Sequence, residues 1–448
     1  MTTLTLLPPA DPATIVAYRN SRPVTRGEFM ADVTAVAARM PDSGQAVNMC
    51  ADRYWFTVAL FATISRGIVS LLPNSPAAEA IAALCAQVSD VFCVGDQDRS
   101  PIEQVPYVPV ALTAPTASPL APDLPLVAFD QRVVSVFTSG STGQPVPHDK
   151  TFGRFNLDIR ASSERFWAAT GGPCSVLGTV PLRHMFGLEA TVLLPILGGG
   201  ILSSRVPFYP ADIAAALAEL PAPRFLVSTP FHLQKLLEAE IAISPVAGVL
   251  SATAPLSLEL AARVEAQLGA PMLEIYGSTE TGQLALRRPV VQTEWQTLGG
   301  IVLRQEGDQT IAEGGHLESA QVLNDAIDLL SPRSFRLIDR LANMVNIAGK
   351  RSSLSFLNHV IGGIAGVRDG VFCMPNRAET TDVPRLAAFV VAPGLDAAEV
   401  LAALRPQLDP VFLPRPIVFV DALPRDGNGK ISAAAMQSLV DQHINRKA

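Results

Sequence analysis

The sequence is poor in cysteine, in aromatic residues and in charge: its 448 residues include 5 Cys, 6% aromatics and 17% charged residues. Cys50, Cys85, Cys93, Cys174 and Cys373 form no CxxC pair and no metal-ligand spacing, and their number is odd. That argues against a disulfide framework and a zinc–cysteine site, and it predicts buried free thiols in a reducing, cytoplasmic setting. An excess of basic charge is also missing. With 34 Lys+Arg against 41 Asp+Glu the formal charge is −7, the wrong sign for a bulk nucleic-acid binder. No apolar run approaches the ~18–20 residues needed to span a bilayer. The longest, near residues 191–202, is broken by Pro195 and three glycines. The N-terminal MTTLTLLPPADP lacks the basic-then-apolar pattern of a secretory signal.

What remains is a chain with 48% hydrophobic residues and 37 prolines, globular rather than disordered, and long enough for two or three domains. Phe29, Val33, Val36 and Met40 recur at helical spacing. Strands are expected at Ala46–Met49, Gly67–Leu72 and Val91–Val94, with helices at Tyr54–Arg66 and Ala77–Gln87. That alternation implies a parallel sheet with crossover helices. Pro101–Pro125 reads as a surface connection, and 302–315 as antiparallel strands with tight turns. Strand–helix alternation near the end predicts a small α+β domain over 341–448, which carries 11 basic and 9 acidic residues. The expected division is therefore 1–340 and 341–448.

The densest chemical signal is Thr138-Ser139-Gly140-Ser141-Thr142-Gly143-Gln144-Pro145, directly after the apolar run Val133–Phe137. Its glycines allow successive backbone N–H groups to face one concavity, and its hydroxyls add donors, which suits a polyphosphate. The NTPase pattern GxxxxGK[ST] does not match. Tyr276-Gly277-Ser278-Thr279-Glu280 follows another apolar strand. A carboxylate at such a strand end can hold Mg²⁺. Lys430, in Leu423-Pro424-Arg425-Asp426-Gly427-Asn428-Gly429-Lys430-Ile431, sits on a Gly-rich loop from which an ammonium can reach into a closed site.

In this order the motifs resemble the adenylate-forming superfamily of acyl- and aryl-CoA synthetases, acyl-carrier-protein ligases and peptide adenylation domains. The resemblance extends over nearly the whole chain. It implies an α/β fold with a large N-terminal domain of mixed and parallel sheets, flanking helices and a β subdomain, plus a small mobile α+β lid. It implies that residues 138–143 bind ATP phosphates, that Tyr276, Gly277 and Ser278 line the nucleotide, that Thr279 meets the phosphate, and that Glu280 holds Mg²⁺. Thr253-Ala254-Pro255 resembles the adenine-side GGAPL segment, with Ala252 and Thr253 in place of the glycine pair. Pro181-Leu182-Arg183-His184-Met185-Phe186-Gly187-Leu188 resembles PLxHxxGL, which places His184, Phe186 and Gly187, together with Gly277, beside the acid. Asp328 matches the ribose aspartate, and Arg340 the arginine that closes the large domain. Gly349 and Lys350 fall in the hairpin that lines the thiol channel, and Lys430 becomes the catalytic lysine.

Two positions depart from the family. Val146 stands where a phosphate-binding lysine is usual, leaving His148 or Lys150 to supply the charge, and Ala342 occupies the usual hinge position. Phe186 and Gly187 stand where peptide-forming domains place an aspartate, so an α-amino acid is not expected. The Gly198–Gly200 run suits either a flat acyl group or helix packing. Together with the Cys50–Tyr54 region and the compact size, the chain looks like the synthetases of aryl-polyene and xanthomonadin pigment clusters. The expected reaction is ATP-dependent activation of a hydroxybenzoate- or hydroxycinnamate-like acid and transfer to the phosphopantetheine of an acyl carrier protein, by a monomer or homodimer. The alternatives are a ligase using free CoA and a catalytically impaired adenylate-binding protein.

Overall fold

The structure is a computed structural model and describes residues 2–73, 77–100, 102–103, 105–110, 124–139, 145–307, 309–340, 344–347, 350–375, 385–425, 431 and 433–444. The chain divides into two compact units. The first comprises Met1–Arg304, Ile311–Gln321 and Leu329–Arg336, and the second Gln305–Thr310, Val322–Asp328 and Leu337–Ala448.

The first unit is α/β. Its first long helix, Arg26–Ala37, starts at a capping box: the Thr25 hydroxyl accepts the Glu28 N–H at 3.2 Å, and the Glu28 carboxylate accepts the Thr25 N–H at 2.7 Å. Arg53–Ser65 is apolar on nearly every face and is correspondingly buried almost throughout. A six-stranded sheet runs Pro145–Thr151, Arg132–Ser139, Val69–Leu72, Gln45–Asn48, Val91–Gly95, Tyr107–Pro109. All but the first strand are parallel. The last strand lies inside the supposed surface connection Pro101–Pro125 and corrects that expectation at 107–109, while 111–123 lie outside the described residues. Val108 is buried there, and the prolines are tolerated because the strand is at the sheet edge, where missing N–H groups break no ladder.

A second, eleven-stranded sheet holds the parallel run Met272–Ser278, Gly248–Ser251, Arg224–Ser228, Ser175–Gly178, Ile201–Ser203, Ile15–Arg19. Ser175–Gly178 has its two chain successors on opposite sides, Ile201–Ser203 on one and Arg224–Ser228 on the other. Crevices for ligands open beyond the carboxyl ends of strands at such a reversal. Residues 179–184, 252–255 and 276–280 all leave carboxyl ends of this parallel run.

Gly198–Gly200 has a packing role. The Trp167 indole N–H donates to the Gly198 carbonyl at 2.7 Å, so this segment lies against helix Phe152–Thr170. All five cysteines are free and buried. The second unit contains the hairpin Met344–Ile347/Lys350–Ser353, helix Leu354–Gly362, and a three-stranded sheet of Asp369–Cys373, Ala387–Val391 and Ile417–Phe419 with helices Ala397–Leu404 and Ala433–His443. It is the small α+β module expected from the pattern. Among the described residues no helix is long and apolar enough to cross a membrane.

Candidate active site

Gly140, Ser141, Thr142, Gly143 and the Ser139 side chain lie outside the described residues. The strands on either side of that loop form an antiparallel pair in which Thr138 faces Val146, Val136 faces His148 and Val134 faces Lys150. Side chains alternate along a strand, so Val146, His148 and Lys150 share one face. His148 Nε2 shares a hydrogen bond with Thr138 Oγ1 at 2.9 Å and lies 3.7 Å from Glu280 Oε1. The Lys150 ammonium donates to the Glu280 carbonyl at 2.9 Å. Asp149, on the other face, pairs with Arg132 at 2.9 Å. The two basic residues after Val146 thus both reach the Tyr276–Glu280 segment, while Val146 itself is exposed.

That segment is bent by a bulge between Tyr276 and Gly277. A Cβ at Gly277 would stand 2.0 Å from the Gly282 carbonyl oxygen, so only glycine fits the bend. The Tyr276 ring packs on Phe335 and Trp295, with centroids 5.5 and 5.7 Å away. The Ser278 N–H donates to Thr281 Oγ1 at 3.0 Å and closes the turn carrying Thr279 and Glu280. Burial raises the Glu280 carboxyl, but hydrogen bonds from Ser278 and its own backbone and the charges of His148 and Lys150 outweigh it, so the net shift is downward. An ionised, partly exposed carboxylate suits Mg²⁺, a hard ion that takes few protein ligands and completes its shell with water and phosphate. Among the described residues no group of three His, Cys, Asp or Glu could hold a metal ion.

Thr253 has φ +77°, a conformation that glycine adopts freely and a β-branched residue rarely does. Thr253 thus holds, where the motif has glycine, a backbone conformation that glycine favours. Its loop is tied to the next strand by Glu274, which accepts the Leu256 N–H at 3.3 Å and pairs with Arg287 at 2.7 Å. His184 is exposed and precedes the short helix Met185–Leu188, in which Phe186 is half-buried and Gly187 buried. The Arg183 guanidinium donates to the Asn48 carbonyl at 3.0 Å, joining this segment to the other sheet.

A pocket of about 270 Å³ is bounded by Lys150, Phe155, Asp158, Met185, Glu189 and Glu280, among others. Sequence reasoning missed Asp158, Glu189 and nearby His316. The available signal was an acidic residue on the buried face of an amphipathic helix (Asp158, beside Phe155 and Ile159) and another inside an apolar run (Glu189). Burial, and then Asp158, push the Glu189 carboxyl well above its ordinary range. Burial lowers the Lys150 ammonium against the opposing pull of Glu189, Asp158, Glu280 and Glu318.

The family model described as AMP-binding enzyme matches residues 8–306, and that of the AMP-binding enzyme C-terminal domain matches 370–430. The chain belongs to the AMP-binding enzyme family. It is similar to the 4-coumarate–CoA ligase of Rhodobacter capsulatus, 29% identical over 354 residues, 78% of this chain and 86% of that one. A shorter match, 30% identical over 153 residues (32% and 28% of the two chains), is to a 4-chlorobenzoate–CoA ligase of an Arthrobacter species. Such ligases are AMP-forming acid–thiol ligases, and this AMP-binding enzyme is of that class. Its fold is that of the O-succinylbenzoate coenzyme A synthetase of Bacillus subtilis in complex with AMP, with TM-score 0.75, 18% identity and 94% of each chain covered. ATP-bound MatB from Rhodopseudomonas palustris gives TM-score 0.72 at 19% identity over 96% of each chain.

The first unit of this AMP-binding enzyme links Thr138, through His148, to Glu280 at the end of the Tyr276–Glu280 segment, and Thr253–Pro255 follow the parallel strand adjacent to that segment. Asp328 is exposed on the strand Asp325–Ser331 and belongs to the second unit. Lys350, also in the second unit, is exposed and pairs with Asp409. Arg340 ends the strand Ser334–Arg340, but its side chain lies outside the described residues, as do Ala342, Gly349 and Lys430.

Proposed function

We propose that this AMP-binding enzyme activates an aromatic carboxylic acid with ATP and passes it to a phosphopantetheine thiol. In the first half-reaction the acid's carboxylate attacks the α-phosphorus of ATP in line and pyrophosphate leaves. In the second, the thiol attacks the acyl carbon and AMP leaves. The barrier to the first step is chiefly repulsion between a carboxylate and a triphosphate, so fixed positive charge and oriented donors are what the protein must contribute. The observation that carries the reading is the convergence of Thr138, His148 and Lys150 on the Glu280 turn at the edge of a pocket.

Glu280 is the residue suited to hold Mg²⁺, which supplies charge neutralisation between the phosphates when bound. Thr279 orients a phosphate oxygen, Tyr276 and Thr253–Pro255 flank the base, and Asp328 and Arg340 serve the ribose and phosphate. His184, Phe186 and Gly187 border the acid. In this reading residues 341–448 act as the lid: they bring Lys430 to the reacting carboxylate and, after turning, the Gly349–Lys350 hairpin to the thiol.

The names of the curated relatives favour CoA as acceptor. The resemblance to pigment-cluster synthetases and the slightly basic 341–448 segment favour an acidic acyl carrier protein. A pyrophosphate-release screen over aromatic and fatty acids, with ATP and Mg²⁺, tests the reading. Acid-dependent release with aryl acids is expected, and release with no acid would leave an impaired adenylate binder. Turnover of the best acid with CoA against holo-carrier protein then identifies the acceptor.

A further inference from the structure

Two buried carboxyls share the wall of the pocket at the Glu280 turn with Lys150. Asp158 and Glu189 are each 2% exposed, and both line that pocket. Asp158 comes from the helix Phe152–Thr170, which follows directly on the strand Pro145–Thr151 that bears Lys150. Glu189 opens a π-helical turn, Glu189–Leu193, directly after the Pro181–Leu188 segment. Such turns recur at functional sites, where they re-aim side chains at the cost of regular helix bonding. A Cβ built on Gly282 (φ +67°) would meet Glu189 Oε1 at 2.7 Å and Asp158 Oδ2 at 3.4 Å, so both carboxyls approach the strand Gly282–Arg287 that leaves the turn.

Neither carboxyl is fully satisfied by its own surroundings. Among the described residues, Asp158 Oδ1 and Glu189 Oε1 have no hydrogen-bond partner, and neither polar atom of the buried Gln283 amide has one. His316 Nε2 faces the Thr281 carbonyl at 2.9 Å and is assigned the hydrogen there. Its Nδ1, 3.8 Å from Asp158 Oδ1, then has none to give in the neutral ring. Arg154, also on the wall, is turned to the Gly315 carbonyl at 3.1 Å.

Lys150 has what is missing. Its bond to the Glu280 carbonyl uses one of the three N–H groups of an ammonium. Among the carboxylates that oppose the lowering of that ammonium by burial, Glu189 acts most strongly and Asp158 next, ahead of Glu280 itself. In turn, Lys150 is the cation that pulls the Glu189 carboxyl down against burial and Asp158. A hydrogen bond between the two carboxyls requires one proton, which leaves the pair one negative charge against the one positive charge of Lys150. As core filling alone the pair is a poor choice, since apolar residues of the same volume pack without the desolvation cost.

We propose that Asp158 and Glu189 are positioning residues: together they form the counter-charge that holds Lys150 against the Glu280 turn, and so fix a cation beside the ATP phosphates. The inference rests on the acid-activation reading above for the place of those phosphates. The pair acts through Lys150 rather than on substrate. Without it a flexible four-carbon stem would spread the ammonium over many rotamers.

The test is a double-mutant cycle. The double amide Asp158→Asn/Glu189→Gln keeps the volume and removes the charge of the pair. Wild type, double amide, Lys150→Met and their combination are measured for Mg·ATP affinity by calorimetry and for acid-dependent ATP–pyrophosphate exchange. Alone, the double amide is expected to weaken ATP binding and slow exchange by about 10-fold each, with KM for the acid changed by less than about 2-fold. Added to Lys150→Met it should cost no more than about 2-fold further, because the residue through which it acts is gone. Losses that multiply would make the two carboxyls merely structural and overturn the inference, as would a double amide equal to the wild type in both assays. Should the double amide fail to fold, Asp158→Asn alone runs the same cycle at smaller amplitude, and its outcomes read the same way. If Mg·ATP binds but no acid supports exchange, the acid-activation reading fails, while the cycle in ATP affinity still decides this inference.

Discussion

The Lys150 ammonium donates to the backbone carbonyl of Glu280 at 2.9 Å, from a position four residues beyond Val146 on the same face of the same strand. Where the family resemblance leads one to expect a loop lysine the chain has Val146, and Lys150, a basic residue on the same strand, reaches the turn carrying the Mg²⁺-binding candidate. Lys150 is half-buried and faced by Glu189, Asp158, Glu280 and Glu318, so carboxylates largely hold it in place.

Lys150→Met should slow acid-dependent ATP–pyrophosphate exchange by about 10²-fold and raise KM for ATP, because it removes both a charge near the phosphates and the tether of the Glu280 turn. Lys150→Arg should recover only part of this, since a forked guanidinium does not match a single carbonyl. Thermal unfolding of the variants separates this effect from loss of fold, and an unchanged exchange rate would assign the missing charge elsewhere.

Arg53 is a second buried cation, with a different job. It is wholly buried, which pulls its guanidinium down to about 9, and it donates to the carbonyls of Gly178 at 2.8 Å and Ser203 at 3.1 Å, and also to that of Arg205. It thereby pins the carboxyl ends of two adjacent parallel strands, one of which leads into the Pro181–Leu188 segment. Arg53→Met should destabilise the protein by about 2–4 kcal/mol in urea titrations, since it strands several buried carbonyls at once. Arg53→Lys should restore little, because one ammonium cannot span them.

Much of this was legible along the chain, for local reasons. The helix Arg26–Ala37 announces itself through Thr25 and Glu28, three residues apart and followed by apolar periodicity. The strands ending at Ser139 and Ser278 are β-branched or apolar runs followed closely by glycine, a pattern that marks the candidate site along the chain. What was not legible depends on contacts distant in sequence. Tyr107–Pro109 carries a proline and gains its strand character only by pairing with Val91–Gly95. The Gly198–Gly200 run suited an acyl group and helix packing equally, and the Trp167 bond to Gly198 gives it a packing role. Asp158 and Glu189 are 31 residues apart and each sits in apolar surroundings, so neither announces the other. His148 and Lys150 stood as equal candidates to replace the missing charge, and the strand register brings both to Glu280.

Lys430 is tested most sharply by separating the two half-reactions. The family resemblance gives it the neutralisation of the attacking carboxylate and α-phosphate, a role confined to the first step. Lys430→Ala should therefore abolish acid-dependent ATP–pyrophosphate exchange while sparing thiolysis of a preformed acyl-adenylate by CoA or holo-carrier protein. Equal loss in both assays would place the lysine in general folding or thiol binding, and undiminished exchange would remove it from the chemistry.

Glu189 makes stability depend on pH with a definite sign. Burial, then Asp158, raise its folded-state carboxyl, against the pull of Lys150 and the Gln283 N–H, while His316 stands across the same cluster. An acid whose folded value exceeds its unfolded value of about 4.3 binds more protons in the native state between the two. Its contribution is thus fully present below the unfolded value and is lost as pH rises through the folded one. Glu189→Gln cannot titrate. The stability of the wild type relative to this variant should therefore fall as pH rises above about 4.3 towards the raised folded-state value, with a slope of at most about 1.4 kcal/mol per pH unit for one proton. Urea titrations of both proteins across that range provide the comparison. A difference that is flat or rises with pH from about 4.3 upward would mean that Glu189 is ionised in the folded protein, with Lys150 balancing its charge.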